Sequence, residues 1–94
     1  MIRSFKDRDT EEVWNGLYVK KWHPDIQRIG LRKLMVLHRA KSLQDVAVSP
    51  GFGLEKLKGD RVEQYSIRIN DQYRICFEWD ETGFAEKVEI TDYH

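Results

Sequence analysis

Ninety-four residues, 40% hydrophobic and 34% charged, make one domain over 1–94 with no room for a second core. No apolar run approaches the roughly 20 residues of a membrane span, and the charged start MIRSFKDRDT lacks a secretory apolar core, so a cytoplasmic protein off the membrane is expected. The net charge of zero hides an asymmetry: residues 1–61 hold 13 of the 16 basic and 8 of the 16 acidic residues, a net +5, and residues 62–94 hold 3 and 8, a net −5. The basic part can meet phosphate, through a local field rather than a global one.

IRSF, apolar at Ile2 and Phe5, reads as a short edge strand. DTEEVWNGL opens a helix in which Asp9 caps and Glu12 reciprocates, with Val13, Trp14 and Leu17 as its buried face. HPDIQRIGLRKLMVLHRAK is the main helix, with Pro24 suited to its first turn. At 100° per residue Ile26, Ile29, Gly30, Leu34, Val36, Leu37 and Ala40 fall within one arc of about 160°, the core stripe. Arg28, Arg32 and Arg39 cluster on the far side. Leu31 and Met35 sit off the stripe, where they either pack against the first helix or offer an apolar contact to a partner. SLQD starts a further short helical turn, Ser42 capping against Asp45.

Pro50, Gly51 and Gly53 end the helical pattern, and the period becomes two. EQYSIRIN puts Tyr65, Ile67 and Ile69 on one face. YRICFEW puts Tyr73, Ile75, Phe77 and Trp79 on one face and Arg74, Cys76 and Glu78 on the other. FAEKVEITDY supplies a last strand carrying Val88 and Ile90. Helices followed by an antiparallel meander make an α+β fold, with the helices on one sheet face and Arg68 and Arg74 on the other. Cys76 is the single cysteine, expected to be a small buried or half-buried residue.

No glycine-rich phosphate loop is present. His23, His38 and His94 lack metal-ligand spacing and one cysteine builds no zinc site, so no metal and no cofactor are expected. What remains is LEKLKGDR, the pair Arg68 and Arg74, and Asp92, Tyr93 and His94. The KGDR loop can bring a cation to a backbone phosphate, or be a turn in which Gly59 supplies a positive φ. If the last strand lies beside the one carrying Arg74, a guanidinium, an ammonium, an imidazole and a carboxylate meet on one rim. That set suits metal-free RNA cleavage: a base activates the ribose 2′-OH, a cation stabilises the phosphorane, an acid protonates the leaving 5′-oxygen. Histidine fits either proton-transfer role. The alternative is a solvated basic rim.

IRSF, LEKLKGDRVEQYSIRINDQYRICFEW and VEITDYH, taken together, resemble the HigB-type toxins of bacterial toxin–antitoxin modules, in the RelE/ParE superfamily. The resemblance runs from the first strand to the last residue, with 6–53 matching only in helical character. It implies two N-terminal helices packed on a curved antiparallel sheet, the RelE/ParE-like microbial RNase toxin fold. It also implies an endoribonuclease that cuts mRNA in the 30S A site of the ribosome without metal, inhibits growth, and is silenced by a HigA-type helix-turn-helix antitoxin, DNA being met only through that antitoxin.

The family's functional positions carry over to Lys58, Arg74, Asp92, Tyr93 and His94. In that assignment Lys58 and Arg74 contact the scissile phosphate, Tyr93 stacks on or hydrogen-bonds a nucleotide, and His94 leads as acid/base with Asp92 orienting it or sharing the transfers. Arg61 and Arg68, with the helix stripe Arg28, Arg32 and Arg39, are the candidate RNA- and ribosome-binding residues. The chain departs from its relatives at Glu55, where they carry a histidine; a glutamate can act as base but repels phosphate. Two other functions are compatible with the fold: a non-catalytic ParE-like poison of DNA gyrase, which has no use for Lys58, Arg74 and His94, and an inactive regulatory partner that uses Leu31 and Met35 for antitoxin binding.

Overall fold

A computed structural model describes residues 1–92. Within them the chain forms helices α1 (Arg8–Trp14), α2 (Pro24–Arg39) and α3 (Leu43–Ala47), then strands β1 (Glu55–Lys56), β2 (Gln64–Arg68), β3 (Tyr73–Asp80) and β4 (Phe84–Asp92). The strands pair antiparallel in sequence order, the expected α+β meander.

α1 begins two residues earlier than its sequence suggests. Asp7, in extended conformation, is the cap and accepts from the Thr10 amide at 3.1 Å, which places Asp9 inside the first turn. Thr10 is thereby turned fully inward, where its hydroxyl oxygen accepts from the Ile90 amide of β4 at 2.9 Å. Gly16, at φ 81°, ends the helix before Leu17, which is 57% exposed rather than buried.

α2 is capped by the His23 side chain, which accepts from the Asp25 amide. Its buried face includes Ile26, Gly30, Leu34 and Leu37 as the periodicity predicts, and also Gln27 and Lys33. Gln27 is admitted because it answers the strap between α1 and α2: its Oε1 accepts from the Val19 amide, and its Nε2 donates to the carbonyls of Val19 and Trp22. A Cβ on Gly30 would stand 3.4 Å from both Ile69 Cδ1 and Ile90 Cδ1, so this glycine lets α2 pack closely over these two side chains. In α3, Ser42 Oγ accepts from the Asp45 amide while Asp45 Oδ2 accepts from the Lys41 amide, a near-reciprocal cap.

Ile67, Ile75, Phe77, Val88 and Ile90 point from the sheet into the core with Val13, Leu34, Leu37 and Val46 from the helices. IRSF lies outside the four strands. It runs parallel along the outer edge of β4, bridging Ile2 to Ala85 and Phe5 to Val88. Both partner positions on β4 are fully buried although three residues apart, which regular alternation forbids. A bulge resolves this: the β3–β4 register shifts between Cys76 and Glu78, and Lys87 sits at φ 52°. Ser4 seats the bulge, its Oγ accepting from the Lys87 amide and its carbonyl from that of Val88.

Candidate active site

The sheet face away from the helices carries the candidate chemistry. Register aligns Glu55, Ser66, Cys76 and Glu89 in one row across β1, β2, β3 and β4. Ser66 and Cys76, in the middle, are small and inaccessible beneath the longer side chains around them; a carboxylate stands at each end.

Arg74 lies beside this row, opposite Arg68 on β2 and Thr91 on β4. Its side chain is only 19% exposed. Nη1 donates to Ser66 Oγ at 3.0 Å and to the Gly53 carbonyl at 3.3 Å, and Nη2 lies 3.6 Å from Glu55 Oε1. Two arginines facing each other repel; here Arg68 turns to Asp71 and Arg74 to Glu55, which separates them. The loop that supplies the Gly53 carbonyl is itself anchored from below. Lys33 donates to the carbonyls of Gly51 and Arg68 and sits 5.0 Å from the Phe52 ring centre. Burial lowers the Lys33 pKa, with Arg32, Arg68 and Arg74 adding to the effect.

Lys58 is exposed at the start of a single 3-10 turn, Gly59–Arg61, and Gly59 has the positive φ (66°) expected of it. The stretch before it adds a strand that the sequence pattern does not announce: Glu55 and Lys56 pair with Ser66 and Tyr65. Leu57 is buried behind them, and two paired residues are too few to leave an alternating signature. Arg61 reaches across the face, its Nη1 donating to Gln64 Oε1 at 2.9 Å and Glu89 Oε2 at 3.0 Å. Lys6 meets the same Glu89 oxygen at 3.2 Å. Sequence reasoning missed Glu89 and Lys6. Alternation from Val88 and Phe5, both inward, points each of them to the Arg74 face.

β4 does lie beside β3, as the convergence of charges requires, but Asp92 is not on the Arg74 face. It pairs with Tyr73, lies on the same face as Ile90, and accepts from Gln72 Nε2 at 3.0 Å; Thr91 is the residue opposite Arg74. Tyr93 and His94 lie outside the described residues. Arg28, Arg32 and Arg39 are exposed along α2, and Arg28 pairs with Asp25 at 3.4 Å. Leu31 is half-buried against the core, and Met35 is exposed.

Burial pushes the Cys76 thiol up to about 11, with Glu89 adding to the rise and Arg61, Arg74 and Lys6 opposing it. A raised folded pKa favours the protonated thiol in the fold. That contribution is fully present below the unfolded value near 9.0 and is lost as pH rises through about 11. Urea unfolding from pH 8.5 to 11 should therefore show the wild type losing roughly 2–3 kcal/mol more than Cys76→Ala. Parallel curves for the two proteins would contradict this assignment.

Residues 3–94 match the family model of HigB-like toxins, described as the RelE-like toxin of the type II toxin–antitoxin system HigB. The chain belongs to this family. It is also 34% identical over 80 residues, 84% of each chain, to Toxin HigB-1 of Vibrio cholerae serotype O1 (strain ATCC 39315 / El Tor Inaba N16961). HigB-like membership makes the protein the toxin of a type II module, with an antitoxin as its partner, and the helices on an antiparallel sheet agree with the RelE-like assignment. Among the described residues no helix is long and apolar enough to cross a membrane. Glu55 is the carboxylate that faces Arg74.

Proposed function

We propose that this toxin is a ribosome-dependent endoribonuclease that cuts mRNA in the A site and arrests translation in the cytoplasm until a HigA-type helix-turn-helix antitoxin binds it. The observation that supports this best is the three-point hold on Arg74 by Ser66, Gly53 and Glu55. A guanidinium fixed before substrate arrives costs no reorganisation when charge develops on phosphorus. In this scheme a base removes the 2′-OH proton, the 2′-oxygen attacks phosphorus, and the 5′-oxygen leaves with a proton from the acid, giving a cyclic phosphate and a free 5′-OH. Arg74 and Lys58 take the phosphorane charge, His94 carries a proton, and Tyr93 holds a nucleotide. Glu55 is the second proton carrier, because Asp92 alternates to the other sheet face.

Mapping of 3′ ends in a reconstituted translation reaction tests the reading. Added toxin should cut mRNA at A-site codons and only on ribosomes. Intact mRNA together with inhibited gyrase supercoiling would replace it with the gyrase-poison function.

A further inference from the structure

At the β4 end of the same face, three residues meet that the reaction above does not use. Glu89, 13% exposed, receives Arg61 and Lys6 on one oxygen, at 3.0 and 3.2 Å. It holds both cations at the surface, Lys6 49% and Arg61 29% exposed, in a triad of net charge +1.

Lys6 comes from the opposite end of the chain. Phe5, packed with Trp14 at 6.4 Å between ring centres, fixes the inward side of the N-terminal segment and so turns Lys6 outward. The row Glu55–Ser66–Cys76–Glu89 thus has a held arginine at one end and a held arginine–lysine pair at the other. Three strand spacings separate its ends, about 14 Å between Cα atoms, a span that a short run of extended RNA covers.

We propose that Lys6 and Arg61, held by Glu89, form a second phosphate subsite that takes a backbone phosphate of the same RNA strand beyond the one at Arg74. This rests on the endoribonuclease reading and adds to it a direction for the strand across the sheet, from β1 towards the N-terminal segment. The ligand is the sugar–phosphate backbone, since an ammonium and a guanidinium side by side read charge and not bases. Glu89 is a positioning residue.

The test uses the full chain and a non-cleavable single-stranded 2′-deoxy oligonucleotide, its affinity followed by fluorescence anisotropy over a salt series. Lys6→Gln should weaken binding about tenfold and make the slope of log K against log salt shallower by about 0.7, the value for one single-strand phosphate contact. Lys6→Arg should restore both. In the translation reaction Lys6→Gln should raise KM with kcat unchanged. Glu89→Gln should move KM the same way. A Lys6→Gln protein with lowered Tm but wild-type affinity and slope has lost only a structural clamp, which overturns the subsite even if mRNA is cut normally. A wild type that cuts no mRNA overturns the underlying reaction, whatever the oligonucleotide shows.

Discussion

Arg74→Ala should reduce A-site mRNA cleavage by at least about 100-fold, the loss typical of removing one preorganised donor to a developing oxyanion. The residue is singled out by its confinement. Its guanidinium is held by a hydroxyl, a carbonyl and a carboxylate from three different segments, so its direction is set before RNA binds. Arg74→Lys should recover only part of the loss, because one ammonium cannot span those partners and also meet phosphate. The fold should survive both changes. Arg74 lies outside the core cluster, and Ser66 keeps a rotatable hydroxyl. The measurement is single-turnover cleavage on programmed ribosomes, with thermal unfolding alongside. Cleavage by Arg74→Ala at the wild-type rate would remove Arg74 from the chemistry.

Phe77→Ala should cost about 3–5 kcal/mol, the range for emptying a fully buried aromatic site. Phe77 is the largest fully buried side chain among the described residues, and its ring lies 6.1 Å from Tyr65 and 6.5 Å from Trp79. A domain of this length has a total stability of roughly 5–14 kcal/mol. The variant should therefore lose a large share of its margin of stability and be less toxic for that reason alone. Phe77→Leu, which keeps much of the volume, should retain fold and activity. Equilibrium urea unfolding decides the matter, and a loss under about 1 kcal/mol would show that Phe77 does not organise the core.

What could be read from the chain follows how locally each feature is determined. Ile26, Leu34 and Leu37 are legible because helical periodicity alone turns them inward, and Ser42 with Asp45 because a cap is complete within four residues. Gln27 and Lys33 are not, since their burial depends on carbonyls 5 to 35 residues away that only the folded chain brings near. Asp7 and Asp9 are equally good caps by residue type, and the choice between them falls to Thr10 and its bond to β4. The face that Arg74 takes is legible from strand alternation, but the groups that fix its side chain, on β1, β2 and the Gly53 loop, are not. The face of Asp92 is written in VEITD, where Val88 and Ile90 already fix the alternation. Expecting it beside Arg74 gave proximity along the strand more weight than side-chain direction.

The bulge at Lys87 has a consequence for the order in which the molecule is made. Its partner, Ser4, is 83 residues away, and a contact so distant in sequence is rewarded only after a large loss of chain freedom. A nascent chain can build its helices and the β2–β3 hairpin early. Met1–Lys6 has no edge to dock on until residues 85–89 have emerged from the exit tunnel. Lys6 therefore reaches Glu89 only once β4 is in place, after the helices and the β2–β3 hairpin have formed.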